Sequence, residues 1–286
     1  VEGRRIVFWD APGRQRIITA RIALSQHLTP LLSTLCTHTK SHGGVKGTIR
    51  ALSSVIGNFS FVARFDVASY YDSIQHDILL AQLERVNVPK ETLDVVRQYL
   101  GVPDTRGTGM GLTAGGSLSS LLGALYLHPL DMAFQRLMTG RRIFYRRYMD
   151  DIVILAETRH LLRTAVRMVH RVLSTVMLRV HDKQKRYIGR TTEGFDFLGY
   201  RLHPHRRLRP SYESTRRLKE RARRLYEQGA SMTRLRLYVV RWWRWLLGGL
   251  DGLVCRKGGV KRYWTRVFTH LDILDPGVRQ QVCNGL

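Results

Sequence analysis

A short basic strand and a short apolar strand meeting at a pair of acids restrict the fold of this chain more than any other feature. The segment runs Arg141-Arg142-Ile143-Phe144-Tyr145-Arg146-Arg147, then Tyr148-Met149-Asp150-Asp151, then Ile152-Val153-Ile154-Leu155. Two β-prone runs so close together predict a hairpin with the acids at its tip. Water and ions reach such a tip. Adjacent carboxylates there suit Mg²⁺, a hard cation that takes oxygen ligands and keeps several of its waters.

A third acid strengthens this reading. Phe61-Val62-Ala63-Arg64-Phe65 is a β-rich run that ends at Asp66, and Val67-Ala68-Ser69-Tyr70-Tyr71-Asp72 follows. An acid closing a buried strand is poor core design but good site design. Two metals about 3.5–4 Å apart can clamp the attacking and leaving oxygens of a phosphoryl transfer. That chemistry needs carboxylates converging from different elements. Asp66 and Asp150 are the candidates to bridge two Mg²⁺ ions, with Asp151 beside them and Val67 a further candidate for the same metal site.

The charge balance points the same way. The net charge is +25 and the pI about 10.9. A surplus this large implies a polyanionic partner. No run approaches the roughly 20 apolar residues of a spanning helix, and the first residues lack the apolar stretch of a signal peptide. Cys36, Cys255 and Cys283 are odd in number and widely spaced. They suggest neither a disulfide framework nor a zinc site, so the expected location is the cytoplasm.

The order of these motifs resembles the palm of a reverse transcriptase. Asp66-x-x-x-Tyr70-Tyr71-Asp72 is similar to the first palm motif, and Tyr148-Met149-Asp150-Asp151 to the Tyr-x-Asp-Asp box. Between them, the run from Gly109 through Gly115-Gly116-Ser117 to Leu127 resembles the Gly-rich loop and helix of group II intron and diversity-generating retroelement enzymes. Gly194-Phe195-Asp196-Phe197-Leu198-Gly199-Tyr200 resembles their primer-grip hairpin. Ala114 and Ala124 stand where group II relatives usually carry Gln and Asn. The resemblance implies an α+β, right-hand polymerase fold: fingers over 1–60, palm over 61–205 and a basic, Trp-rich helical thumb over 206–286. It implies RNA-directed DNA synthesis with two Mg²⁺ ions, Mn²⁺ being a possible substitute.

Site roles follow from the same resemblance. Arg14, Arg16, Tyr70, Tyr71, Gly115, Gly116 and Lys183 or Lys185 are implied around the incoming deoxynucleoside triphosphate, with Tyr71 as the aromatic that screens the sugar 2′ position. Tyr148, Met149, Leu198, Gly199, Tyr200, Arg216, Arg217, Arg241, Trp242 and Trp243 are implied along primer and template. The expected partners are an RNA template (a structured non-coding RNA), the DNA product and dNTPs, with an accessory protein or a second copy as a further candidate and no membrane. A compact enzyme of a bacterial retroelement or antiphage defence system fits best. A template-independent or protein-primed DNA polymerase would use the same acids, and an inactive RNA-binding module the same basic tail.

The expected elements are strands at Arg4–Phe8 and Gln15–Ile18 around the turn Ala11-Pro12-Gly13, and helices over 19–35, 48–55, 74–86, 90–100, 117–138, 159–177, 212–228 and 232–247.

Overall fold

A computed structural model describes residues 9–102, 107–140, 142–181 and 186–271. Expectations at Arg4–Phe8, Lys183, Lys185 and Cys283 lie outside the described residues. The protein forms two compact units, one from segments 1–48 and 58–190, the other from 49–57 and 191–286.

Helix α1 (Ala11–Leu28) opens the first unit. Here the expected strand at Gln15–Ile18 is corrected: the segment is helical. Asp10 caps the helix by accepting the Gly13 N–H at 2.8 Å, and Pro12 fits the first turn, where no N–H is needed. The helix stops at Leu28, short of Leu35, just ahead of Thr29-Pro30. Helix α2 (Gly44–Val55) follows, its residues from Ile49 onward belonging to the second unit; strand β1 (Phe61–Asp66), α3 (His76–Arg85) and α4 (Lys90–Gly101) come next in the first. The apolar stretch 117–138 is two helices, α5 (Ser119–Tyr126) and α6 (His128–Leu137). Pro129 in the first turn of α6 starts a new helix instead of extending the old one. Strands β2 (Ile143–Tyr148) and β3 (Asp151–Ala156), helix α7 (Arg159–Thr175) and strand β4 (Tyr187–Arg190) complete the unit.

The four strands form an antiparallel sheet in the order β2-β3-β1-β4. Helices α6 and α7 pack on it. Thr158 caps α7 through its side chain, and Leu162, Ala165, Val169 and Leu173 form its buried stripe. The core beneath the site includes Phe65, Tyr145, Ile152, Ile154 and Phe134.

The second unit holds strands β5 (Phe195–Phe197), β6 (Tyr200–Leu202) and β7 (Arg209–Pro210), and helices α8 (Tyr212–Glu227), α9 (Met232–Leu247) and α10 (Gly259–His270). Leu198 and Gly199 form a two-residue turn with φ of 46° and 86°, the backbone a tight hairpin requires. The three helices close on Leu218, Leu235, Val239, Trp264 and Phe268. Among the described residues no helix is long and apolar enough to cross a membrane.

Candidate active site

The strand register brings the predicted acids together. Asp66 at the end of β1 pairs directly with Asp151 at the start of β3, and Asp151 pairs on its other side with Tyr148 at the end of β2. Directly paired residues in a sheet project from the same face. Met149 and Asp150 are the two turn residues, and the Val67 N–H donates to the Asp150 carbonyl at 3.3 Å, extending the ladder past the hairpin tip. On the other side of β1, Arg179–His181 runs alongside. Ala68 N–H donates to the Arg179 carbonyl (2.9 Å) and His181 N–H to the Asp66 carbonyl (2.6 Å). None of these three bonds takes the Val67 carbonyl.

Like charges directly opposed on neighbouring strands repel. A cation held by these carboxylates would offset that repulsion. Among the described residues no three His, Cys, Asp or Glu side chains converge to enclose a metal ion. Mg²⁺ does not need such a cage, because one or two carboxylates, waters and substrate phosphates suffice. The donor set therefore fits a Mg²⁺ ion that arrives with a phosphate-bearing substrate.

Tyr71 stands next to this turn. Burial, and then the negative charge of Asp150, push its phenol up to about 12. Its ring lies 5.3 Å from that of Tyr70. Tyr70 is buried, its hydroxyl donating to the Gly123 carbonyl at 2.5 Å. Tyr70 thus packs behind Tyr71 and presents almost no surface of its own. A Cβ on Gly123 would sit 3.3 Å from both rings.

The Gly-rich segment is tied to the same end of the unit. Leu112 N–H donates to the Tyr71 carbonyl and Gly111 N–H to that of Ile74, both at 2.8 Å. Gly115 has a φ of 77°, which favours glycine. Gly116 is glycine for another reason: a Cβ there would meet the Tyr99 hydroxyl at 1.8 Å. That hydroxyl bonds Ser119 Oγ (2.7 Å), which in turn donates to the Thr113 carbonyl (2.6 Å).

Three residues that sequence reasoning passed over hold the hairpin from behind. Arg147 is fully buried. Its Nε donates to Asp131 at 2.9 Å, Nη2 to the other Asp131 oxygen and to the Ala124 carbonyl (3.1 Å), and Nη1 to the Met149 carbonyl (2.9 Å). Asp131, also fully buried, accepts the Tyr145 hydroxyl at 2.8 Å. Tyr145 stacks on Phe134 with centroids 4.1 Å apart. Residues 131 and 134 share one face of α6, and 145 and 147 one face of β2, so the two elements meet through this pair of contacts. An acid in the apolar stretch Pro129–Phe134 and an arginine in phase with Ile143 and Tyr145 were the available signals. The third residue is His38. Its Nδ1 accepts the Met149 N–H at 3.0 Å, and its ring meets Tyr148 edge-on at 5.9 Å. It also lines a cleft of about 440 Å³ with Arg21, Gln26, Lys40, Ser117 and Ser120, and among the described residues no acid lines that cleft.

The remaining predicted residues lie on other elements. Arg14 and Arg16 are exposed on the first turns of α1. In the second unit, Tyr200 is buried with its hydroxyl on the Leu246 carbonyl (2.9 Å). Arg216 and Arg217 pair with Glu213, and Arg216 also with Glu220, along α8. Arg241 is exposed on α9. Trp242 and Trp243 pack on Tyr263, with centroids 4.9 and 5.3 Å away. It is Trp245 that is exposed, at 46%, stacked against Tyr200.

Solved structures share this architecture. Telomerase from Candida albicans, in complex with a TWJ fragment of telomeric RNA, matches with a TM-score of 0.53 and 16% identity, over 92% of this chain and 48% of that one. Apo telomerase from Candida tropicalis matches with a TM-score of 0.53 and 12% identity, over 91% and 51%. The chain spans about half the length of these telomerases, and at such identities the likeness is one of fold. No curated protein matches the chain. The sequence does match the family described as reverse transcriptase (RNA-dependent DNA polymerase) over residues 14–202, well over half its length, with all three acids inside the match. The chain belongs to the reverse transcriptase family.

Proposed function

We propose that this protein is an RNA-directed DNA polymerase whose reaction centre is Asp66, Asp150 and Asp151. The observation that carries this reading is the cross-strand pairing of Asp66 with Asp151, one residue from Asp150 in the turn. The family match supports the same activity. When bound, Mg²⁺ would lower the pKa of the primer hydroxyl and neutralise charge developing on the phosphoryl oxygens. Asp66, Asp150 and Asp151 would hold it, with the Val67 carbonyl as a further oxygen donor. Tyr71 would screen the sugar 2′ position and select deoxynucleotides. Gly115 and Gly116 let the backbone approach the templating pair. Arg14, Arg16 and Lys183 or Lys185 supply positive charge for the triphosphate, and Tyr148 and Met149 line the primer end.

Segments 1–60, 61–205 and 206–286 serve as fingers, palm and thumb. The turn at Leu198-Gly199 with Tyr200 grips the primer. Arg241 and the exposed faces of α8 and α9 meet the nucleic-acid backbone. Trp245 is the tryptophan most open to stack on a base. The natural template is a dedicated structured RNA of a bacterial retroelement or defence system, copied in the cytoplasm. The test is to purify the protein from its host and sequence the nucleic acid that stays bound. One abundant RNA with DNA complementary to part of it is expected. A heterogeneous mixture without complementary DNA would refute the dedicated template.

A further inference from the structure

We propose that His38 is a positioning residue for the reaction centre: its imidazole clamps the Met149 peptide and thereby the turn that carries Asp150. This rests on the polymerase reading only for its catalytic consequence. Met149 is not glycine, yet its φ is 55°. Left-handed backbone at such a residue is costly and persists only where the surroundings enforce it.

Both peptide groups of Met149 are held. Its carbonyl accepts Arg147 Nη1 at 2.9 Å, and its N–H donates to His38 Nδ1 at 3.0 Å. An amide N–H can only donate, so Nδ1 is the acceptor and the ring proton sits on Nε2. That proton is used as well, on the Ser120 carbonyl at 3.0 Å. Burial, with the Arg147 charge a smaller contributor, lowers the imidazole pKa to about 4, so the ring stays neutral and keeps its acceptor.

The clamp is itself anchored. Arg147 N–H donates to the Leu35 carbonyl (3.0 Å), and the Thr37 N–H and hydroxyl both donate to the Arg147 carbonyl (2.8 and 3.0 Å). The segment before His38 is thus laid along the edge of β2. His38 then joins three parts of the first unit that are far apart in sequence: this edge segment, the start of α5 beyond the paired glycines, and the acidic turn. The side chain needed here has an acceptor at the δ position and a donor at the ε position, which neutral histidine provides.

That requirement makes the test selective. In His38→Asn, Oδ1 replaces Nδ1 and keeps the Met149 bond while losing the one to Ser120. In His38→Gln, the amide reaches the ε position, keeps Ser120 and loses Met149. His38→Leu loses both. Amide exchange of peptides spanning 148–152 reports the clamp without any need for activity. We expect exchange about tenfold faster in His38→Gln and His38→Leu than in wild type or His38→Asn. In dTTP incorporation on poly(rA)·oligo(dT), kcat should fall about 10- to 100-fold in the same two variants. KM for dTTP should hold, and His38→Asn should keep most of the wild-type kcat. Exchange that is unchanged in His38→Gln and His38→Leu overturns the clamp. So does equal loss of kcat in Asn and Gln, which would mark a purely structural residue. If wild type incorporates nothing while exchange follows the expected order, the polymerase reading fails and the clamp stands.

Discussion

Replacing Arg147 by Met should destabilise the first unit severely, and the structure sets the size of the effect. The guanidinium is fully buried and makes four hydrogen bonds, two of them to the equally buried Asp131. Met fills much of the volume but supplies no donor. Asp131 would keep the Tyr145 hydroxyl and lose the guanidinium it pairs with. Removing one member of a buried pair typically costs about 3–5 kcal/mol, because the other charge is left uncompensated. That is a large share of the roughly 5–15 kcal/mol that keeps a domain folded. Amide exchange of peptides from β1 and β3, which lie at the centre of the sheet, reads the opening free energy of this unit directly. The double variant Arg147→Met/Asp131→Asn removes the stranded charge and should regain about 2 kcal/mol. A cost below about 1 kcal/mol for Arg147→Met, or a double variant as unstable as the single, would refute the reasoning.

Other residues give independent tests. Tyr71→Ala should raise incorporation of ribonucleotides relative to deoxynucleotides by about 10-fold or more, and unchanged discrimination would remove Tyr71 as the sugar screen. Gly116→Ala should cost about 1–3 kcal/mol by driving a methyl into the Tyr99 hydroxyl, and Tyr99→Phe in the same chain should relieve part of it; thermal unfolding of the four combinations decides. His38 gives a pH signature. Its pKa is about 6.5 unfolded and about 4 folded, so between these values the unfolded chain binds the proton and the folded chain does not. Stability therefore falls as pH drops through that window, by up to about 3 kcal/mol, and His38→Asn should lack this component when the two proteins are denatured in parallel at pH 7 and pH 4.5.

The hairpin, the ends of β1 and β3, and α7 and α9 were legible in the sequence because short-range pattern determines them. Runs rich in β-branched and aromatic residues flank Asp150-Asp151, and a regular apolar stripe marks Leu162 to Leu173. Misreadings came where two local signals competed. Arg16-Ile17-Ile18 suited a strand, but the cap at Asp10 and Pro12 carried the helix through it. A mostly apolar, helix-compatible pattern ran from Leu118 to Leu137, but the helix restarts at Pro129. The support of the site was the least legible part. Arg147 looked like one more charge in a basic strand, and only its pairing with Asp131, 16 residues away, makes it a buried anchor. His38 lies 111 residues from Met149, and no local pattern links the two. Bonds of that kind depend on the completed sheet. The acids they support could be found from sequence because their spacing was already informative.

The account stands or falls on the acidic turn, so the most direct measurement is single-nucleotide incorporation of dTTP on poly(rA)·oligo(dT) in Mg²⁺. Wild type should be compared with Asp66→Asn, Asp150→Asn and Asp151→Asn, and binding of the same duplex measured in parallel. The account predicts RNA-templated incorporation by wild type, with losses of at least about 10³-fold in the variants and binding retained. Incorporation that survives in Asp150→Asn, or that proceeds equally well with no template, would contradict it.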